Sequence, residues 1–429
     1  MHNDLRLLAR IFAFIGVLMP IAAVATDPAP PLTAGLTLAD AVKRMRTHDL
    51  SLALAQTAVE QAAADVLSAG ERPNASLSYG TSKINPAGHN GPGTLWDKSF
   101  DTVVSISQPF ERGGKRWHRV AEAEAIADAT HADYADMLRS ERLAVAQAYW
   151  ELKRAQEKQA SAHELATIEQ HSLRATEARL QHGDIAPLDA ERLHIGAAQA
   201  DNAADHADST LADARVVLAA LLDATAQAST LTAIDGWPSH GFVAPDPEQT
   251  LMQRPDIVAA QQRVHAAQAA LDLAHALRKR DITLSGQYEH NPTPFGHTLL
   301  GIGVSIPLFT GNHYEGEIRR ANADLDAAQV NLARVQLAAR TEMQRAIADT
   351  RGATARVHRY NSDLVERAQH VEQTAEAAYT RGGYSLADLL DARRDLKSVQ
   401  DDATDARADF AEATAALAAA ASTQDTSSP

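Results

Sequence analysis

Apolar and polar positions follow two different periods in this chain, and each period keeps to its own stretches. A period of two marks four short segments. Ala75, Leu77 and Tyr79 oppose Ser76 and Ser78, and Val104 and Ile106 oppose Ser105 and Ser107. Further along, Ile282, Leu284 and Tyr288 oppose Thr283, Ser285 and Gln287, and Leu300, Ile302, Val304 and Ile306 oppose Gly301, Gly303 and Ser305. Alternation of this kind predicts strands with one apolar and one small polar face, at about 74–80, 101–108, 282–290 and 299–306. Elsewhere the spacing alternates three and four. Ile318, Ala321, Leu325, Ala328, Leu332, Val335 and Ala339 form one seam. Leu389, Ala392, Leu396, Val399, Ala403, Ala406, Phe410, Ala413 and Leu417 form another. Residues 115–181 and 312–381 contain no proline, so each segment could run for roughly 100 Å as one helix, in the range of coiled coils.

The same order of elements occurs twice. Ser107-Gln108-Pro109-Phe110 precedes Gly113 as Ser305-Ile306-Pro307-Leu308 precedes Gly311, at an offset of 198 residues. Gly183 stands six residues before Asp189, and Gly382 stands six before Asp388, at an offset of 199. Three landmarks at nearly constant separation predict an internal duplication. Each half reads as a helix (38–69 and 248–280), two strands, and two long helices. The repeats are expected over 36–225 and 247–421, with a linker at 226–246 and a disordered tail at 422–429.

Composition narrows the architecture. Alanine supplies 87 of the 429 residues and aromatics only 5%, which suits helices packed closely through methyl groups. The absence of Cys excludes disulfides, thiolate metal sites, a cysteine nucleophile and a lipidated N-terminal Cys. A net charge of −15 argues against nucleic acid as a partner. Arg6 and Arg10, an apolar run from Ile11 to Val24, and Ala23-Val24-Ala25 predict an export signal over residues 1–25. No later stretch has ~18 consecutive apolar residues, so membrane insertion has to come from strands. Four strands cannot close a barrel without open edges, and edges are not tolerated in lipid. Several copies would have to pool them, and three copies give twelve.

Candidate chemistry is sparse. Glu111-Arg112-Gly113-Gly114-Lys115-Arg116 is half a phosphate loop, lacking the earlier Gly and the Ser or Thr after Lys. The 18 His residues are scattered without metal-ligand spacing, and His290 and His297 flank a Pro-containing loop read as polar surface. No catalytic constellation, metal site or cofactor is expected.

The duplicated layout, the export signal and two tip segments together resemble the TolC family of outer-membrane channels. The segments are Ala178-Arg179-Leu180-Gln181-His182-Gly183-Asp184-Ile185-Ala186-Pro187-Leu188-Asp189 and Tyr379-Thr380-Arg381-Gly382-Gly383-Tyr384-Ser385-Leu386-Ala387-Asp388-Leu389-Leu390-Asp391-Ala392. Arg254-Pro255-Asp256-Ile257 is similar to many members, and the Glu111–Arg116 run is similar to the cobalt–zinc–cadmium branch. The resemblance covers about Leu36 to Ala421. It implies a mainly α fold with a small β part. Three chains would form a homotrimer with a twelve-stranded barrel in outer-membrane lipid and an α-helical tunnel through the periplasm. It also implies docking to a periplasmic adaptor (a membrane fusion protein) and an inner-membrane pump of the resistance-nodulation-division type. Asp388 and Asp391, one helical turn apart, would form an acidic ring at the periplasmic entrance. Asp189 and Tyr379 match a gating link between tips, with Gly183 and Gly382 at the tips themselves. Tyr384 stands where a second link has arginine, so Arg381 or Arg179 would have to substitute. Pro109 and Pro307 would mark where barrel strands become tunnel helices. The expected role is efflux of heavy-metal cations, with drug efflux or type I secretion as other cargoes. A periplasmic adaptor or coiled-coil scaffold without a pore is the competing class.

Overall fold

The computed structural model describes residues 35–84, 100–182, 186–241, 250–291 and 297–421. The expected export signal, the expected tail and Gly183 lie outside them. In chain order the elements are β1 (Gly35–Leu36), α1 (Leu38–His48), α2 (Leu50–Gly70), β2 (Ser76–Ser82), β3 (Asp101–Phe110), α3 (Lys115–Gln181) and α4 (Pro187–Leu221). A short 3₁₀ turn and β4 (Thr232–Ala233) follow, then α5 (Pro255–Ala276), β5 (Ile282–His290), β6 (Thr298–Ser305) and α6 (Glu315–Arg359). A π turn (Tyr360–Leu364), α7 (Val365–Thr380) and α8 (Leu386–Ala420) complete the chain.

Three expectations need correction. The first helix is not continuous from 38 to 69. Asp49 closes α1 through its backbone N–H, and its carboxylate then accepts from the Leu52 N–H to open α2. The second long segment is interrupted where the π turn inserts between α6 and α7. The expected linker is also partly structured, because β4 pairs in parallel with β1, Leu36 opposite Ala233. That small sheet roofs the main core, where Leu36, Met45, Val145, Tyr149, Leu152, Leu218 and Leu231 are all buried. The Tyr149 hydroxyl donates to the Leu36 carbonyl and accepts from the Asp235 N–H, both at 3.0 Å, and burial pushes its pKa up.

The coiled-coil seams are where their spacing places them. Ala321 and Ala339 are buried and the seam positions between them are half-buried, while their neighbours other than Asn331 and Gln336 face water. In α8 Leu389, Ala392, Ala403, Ala406, Phe410 and Leu417 are buried. Ala162 and Ala166 of α3 meet Ala200 and Ala204 of α4, a contact that only methyl-sized side chains allow at close range.

The glycines and charges of the Glu111–Arg116 run form the joint between β3 and α3. Gly113 and Gly114 both have positive φ (77° and 75°), and a Cβ on Gly113 would lie 2.6 Å from Cγ of Lys279. The buried Lys115 donates to both carboxylate oxygens of Asp281, at 2.9 and 2.8 Å, and so ties the first half to the second. Arg119 pairs with Glu111 at 2.9 Å and donates to the Ala69 and Glu71 carbonyls. Pro109 is the penultimate residue of β3, opposite Thr283, and Pro307 stands two residues beyond the end of β6.

Candidate functional site

The four long strands form one antiparallel sheet in the order β2-β3-β5-β6. Its register sorts side chains into rows of opposite character. Leu77, Ile106, Gly286 and Ile302 share one row, and Tyr79, Val104, Tyr288 and Leu300 share another. Both rows point away from any core in the protomer: Ile302 is 99% exposed and Leu300 85%. On the other face lie Ser76, Ser107, Ser285 and Gly303, then Ser78, Ser105, Gln287 and Gly301. Ser76 bonds Ser107 at 2.8 Å and Ser78 bonds Ser105 at 2.7 Å across the strands. A Cβ on Gly301 would lie 2.7 Å from Cγ of Gln287 and one on Gly303 2.6 Å from Oγ of Ser285, so either would have to displace that side chain. Over these rows one face is apolar and uncovered and the other polar and mostly small, while beyond them Val103 and Leu299 join the polar side and Gln108 stands beside Leu284 and Val304 on the apolar side. That is the arrangement of a wall with lipid on one side and water on the other. No helix among the described residues is long and apolar enough to cross a membrane.

At the far end of the helices, the turn between α7 and α8 is built by local rules. Gly382 takes φ +75°, and the Gly382 and Gly383 N–H groups donate to the Tyr379 and Ala378 carbonyls, ending α7 in a Schellman turn. Ser385 then starts α8 in a capping box with Asp388. Its N–H and hydroxyl donate to the Asp388 carboxylate at 2.9 and 2.6 Å. Those bonds, the hydroxyl's first, hold the Asp388 carboxyl below its usual range. Asp391 is exposed one turn on, with Arg394 at 3.4 Å. The six-residue spacing therefore has a local cause: Asp388 is the third residue of its helix, where carboxylates favour the free N–H groups. Asp189 holds the same place in α4, behind Pro187. Ala186 cannot cap it with a side chain, and Asp189 pairs instead with Arg192 at 3.6 Å.

Not all of the expected tip residues are brought together. Tyr379 packs against a buried cluster of Leu173, Leu193, Ala197, Leu386 and Leu390, which is drawn from both hairpins. Among the described residues Asp189 and Tyr379 form no hydrogen bond with each other. Tyr384 is 51% exposed. Neither Arg381 nor Arg179 forms an ion pair among the described residues. No group of three or more His, Asp or Glu among them is placed to hold a metal ion.

Two networks escaped the sequence reading. Arg254 is 1% exposed and pairs with Asp256 at 2.9 Å and Glu342 at 2.8 Å, while donating to the Ala420 carbonyl at 3.2 Å. Burial opposes its charge, but the bonds to Asp256 and Glu342 outweigh burial and hold its pKa above the usual value. Glu342 also receives Arg139 at 3.2 Å. The Arg-Pro-Asp run thus ties the start of α5 to α6 and to the end of α8. The second network surrounds Arg393 on α8, whose side chain reaches Glu169 and Ser172 of α3.

Comparison with known proteins agrees with this geometry. The family model described as outer membrane efflux protein matches residues 42–224 and again 247–423. The pyoverdine export outer membrane protein OpmQ of Pseudomonas aeruginosa is 24% identical over 380 residues, covering 85% of this chain and 80% of that protein. The cobalt-zinc-cadmium resistance protein CzcC of Cupriavidus metallidurans is 26% identical over 309 residues, covering 69% of this chain and 71% of that protein. Among solved structures, the Campylobacter jejuni CmeC outer membrane channel superposes with a TM-score of 0.79 at 17% identity, over 91% of this chain and 87% of that one. With the family model matched in both halves and the fold of these channels in place, the chain belongs to the outer membrane efflux protein family, outer-membrane channels that extend into the periplasm.

Proposed function

We propose that three copies of this chain form the outer-membrane conduit of a tripartite efflux system that expels heavy-metal cations. The two-faced sheet carries the reading. Twelve strands from three protomers close a barrel, with the Ile302 rows toward lipid and the Ser105 rows toward water. Repeats over 36–225 and 247–421 supply one helical hairpin each, two per chain. Their tips form the periplasmic entrance and meet an adaptor and a resistance-nodulation-division pump. Asp388 and Asp391, exposed and one turn apart, place six carboxylates around the threefold axis, a field that concentrates cations. Asp189, Tyr379, Arg381 and Tyr384, with Gly183 and Gly382, make the gating or adaptor contacts, and Pro109 and Pro307 lie at the joints of barrel and tunnel.

The relative named for cobalt, zinc and cadmium resistance supports cation cargo. The pyoverdine exporter aligns over more of the chain, which favours a second reading with an organic cargo. Single-channel recording of the detergent-purified protein in a planar bilayer tests the conduit. Discrete steps blocked by divalent cations, with the block relieved by Asp388→Asn plus Asp391→Asn, are expected. Steps indifferent to both keep the channel and discard the ring. A folded protein that gives no steps is a scaffold.

A further inference from the structure

Arg393 and Glu169 are buried charges in the lower hairpins, 8% and 4% exposed, and they belong to different hairpins. Nη1 of Arg393 lies 3.4 Å from Glu169 and 3.0 Å from the Ser172 hydroxyl, both on α3. Its other two nitrogens face Glu372 and Glu376 of α7, each at 3.6 Å. One guanidinium therefore stands among three carboxylates. Glu169 Oε2 and Arg393 Nε have no hydrogen-bond partner among the described residues, so the charges at this site are incompletely satisfied. Higher up, the same two hairpins are joined by Lys158 to Asp405 at 2.7 Å and by Arg154 to Asp409 at 3.6 Å. These pairs are a quarter to a third exposed, where water screens them and a single pair contributes little.

We propose that Arg393 is the positioning residue that holds the second hairpin against the first and keeps the entrance narrow. The inference rests on the reading of the tips as the entrance. Without the guanidinium, Glu169 is a buried charge with no counter-charge, facing two more carboxylates. Relief comes by moving α3 away from α7 and α8 so that water reaches Glu169 and Glu372, as it already reaches the half-exposed Glu376. Lysine at this position keeps the charge but cannot present three nitrogens in a plane.

The test uses the whole protein in bilayers and, since the chain has no Cys, spin labels on Gln181→Cys and Thr380→Cys. Arg393→Gln is expected to raise open-state occupancy by on the order of tenfold and to lengthen the label distance. Glu169→Gln removes only the tie to α3 and should produce a smaller change of the same sign. The double variant should fall back to the Glu169→Gln level, because the uncompensated charge is gone. Arg393→Lys should lie between wild type and Arg393→Gln. Should Arg393→Gln fail to fold, a wild-type distance in Glu169→Gln overturns the proposal. Wild-type conductance and distance in Arg393→Gln also overturn it, and leave the entrance reading standing if Asp388→Asn and Asp391→Asn still alter divalent block. If those two variants alter nothing either, the entrance reading and the clamp fall together.

Discussion

The wall reading makes a demand that two substitutions can test against each other. Ile302 and Ser105 lie on opposite faces of one sheet, and each can be replaced by arginine. Ile302 sits in the middle of β6, fully exposed on the apolar face. An arginine at bilayer mid-depth on the lipid side of a barrel costs ~2–4 kcal/mol per chain, hence about 6–12 kcal/mol for three copies. Ser105 faces the water side, and its replacement loses the 2.7 Å bond to Ser78. A net hydrogen bond of this kind contributes about 1 kcal/mol, and the guanidinium stays hydrated. Ile302→Arg should therefore destabilise each chain several times more than Ser105→Arg.

The assay is urea titration of protein refolded into lipid vesicles, followed by tryptophan fluorescence, with bilayer recording of whatever inserts. Ser105→Arg should insert and conduct with weakened cation preference, whereas Ile302→Arg should insert poorly. Equal costs, or a larger cost at Ser105, would refute the assignment of faces. The lipid and water sides of the sheet would then have to be reassigned.

Other expectations are narrower. Arg254→Ala should lower unfolding stability by about 3 kcal/mol, since it removes a buried charged hub. The figure is at the low end because Glu342 is 42% exposed and keeps Arg139. Circular dichroism during denaturation measures it, and a change under about 0.5 kcal/mol would place the hub's energy elsewhere. Asp388 is held below its ordinary 3.8 by Ser385, so its capping contribution is complete above that value and fades only as pH falls through the lowered one. Its share of divalent block should then persist as pH falls to its ordinary 3.8 and be lost only below that, and a half-loss at or above 3.8 would contradict the capping-box assignment. Asp189→Ala should raise conductance, and an unchanged trace would remove it from the gate.

The parts of this fold that were legible are those governed by nearest neighbours in sequence. The seams were readable because burial in a coiled coil follows 3-4 spacing, and Ala321, Ala339, Ala403 and Ala406 are indeed buried. The strands were readable from period two, with β5 at its expected limits and the others within two residues. Ser385 and Asp388 form an S-x-x-D cap that sequence alone could have disclosed, and the spacing was noticed without its cause. The break at Asp49 was hidden because helix-forming residues run on both sides of it and no Gly or Pro occurs between 38 and 69. Arg393 and Glu169 were invisible for a different reason. They are 224 residues apart, and each looks like a charge on a solvated face until α3 and α8 are laid together.

How the charges are distributed decides which helices can part. Inside the first hairpin, α3 meets α4 through Ala162, Ala166, Ala200 and Ala204. Inside the second, α7 meets α8 through Ala375, Leu389 and Ala392. Such contacts lose roughly 25 cal/mol for each Å² returned to water. Between the hairpins above the tip, α3 and α8 meet through Lys158, Arg154, Asp405, Asp409 and Glu412, groups that water can solvate, and become apolar only higher up, where Ala411 joins the buried cluster of Val145, Ala148 and Leu152. Each hairpin should therefore move as a unit, with α3–α8 as the plane of separation. Salt discriminates the two kinds of contact, since it screens exposed ion pairs and leaves apolar seams intact. Raising ionic strength should lengthen a label distance across α3 and α8 while distances across α3–α4 and α7–α8 stay fixed. Equal lengthening in all three would mean that the hairpins are not the moving bodies.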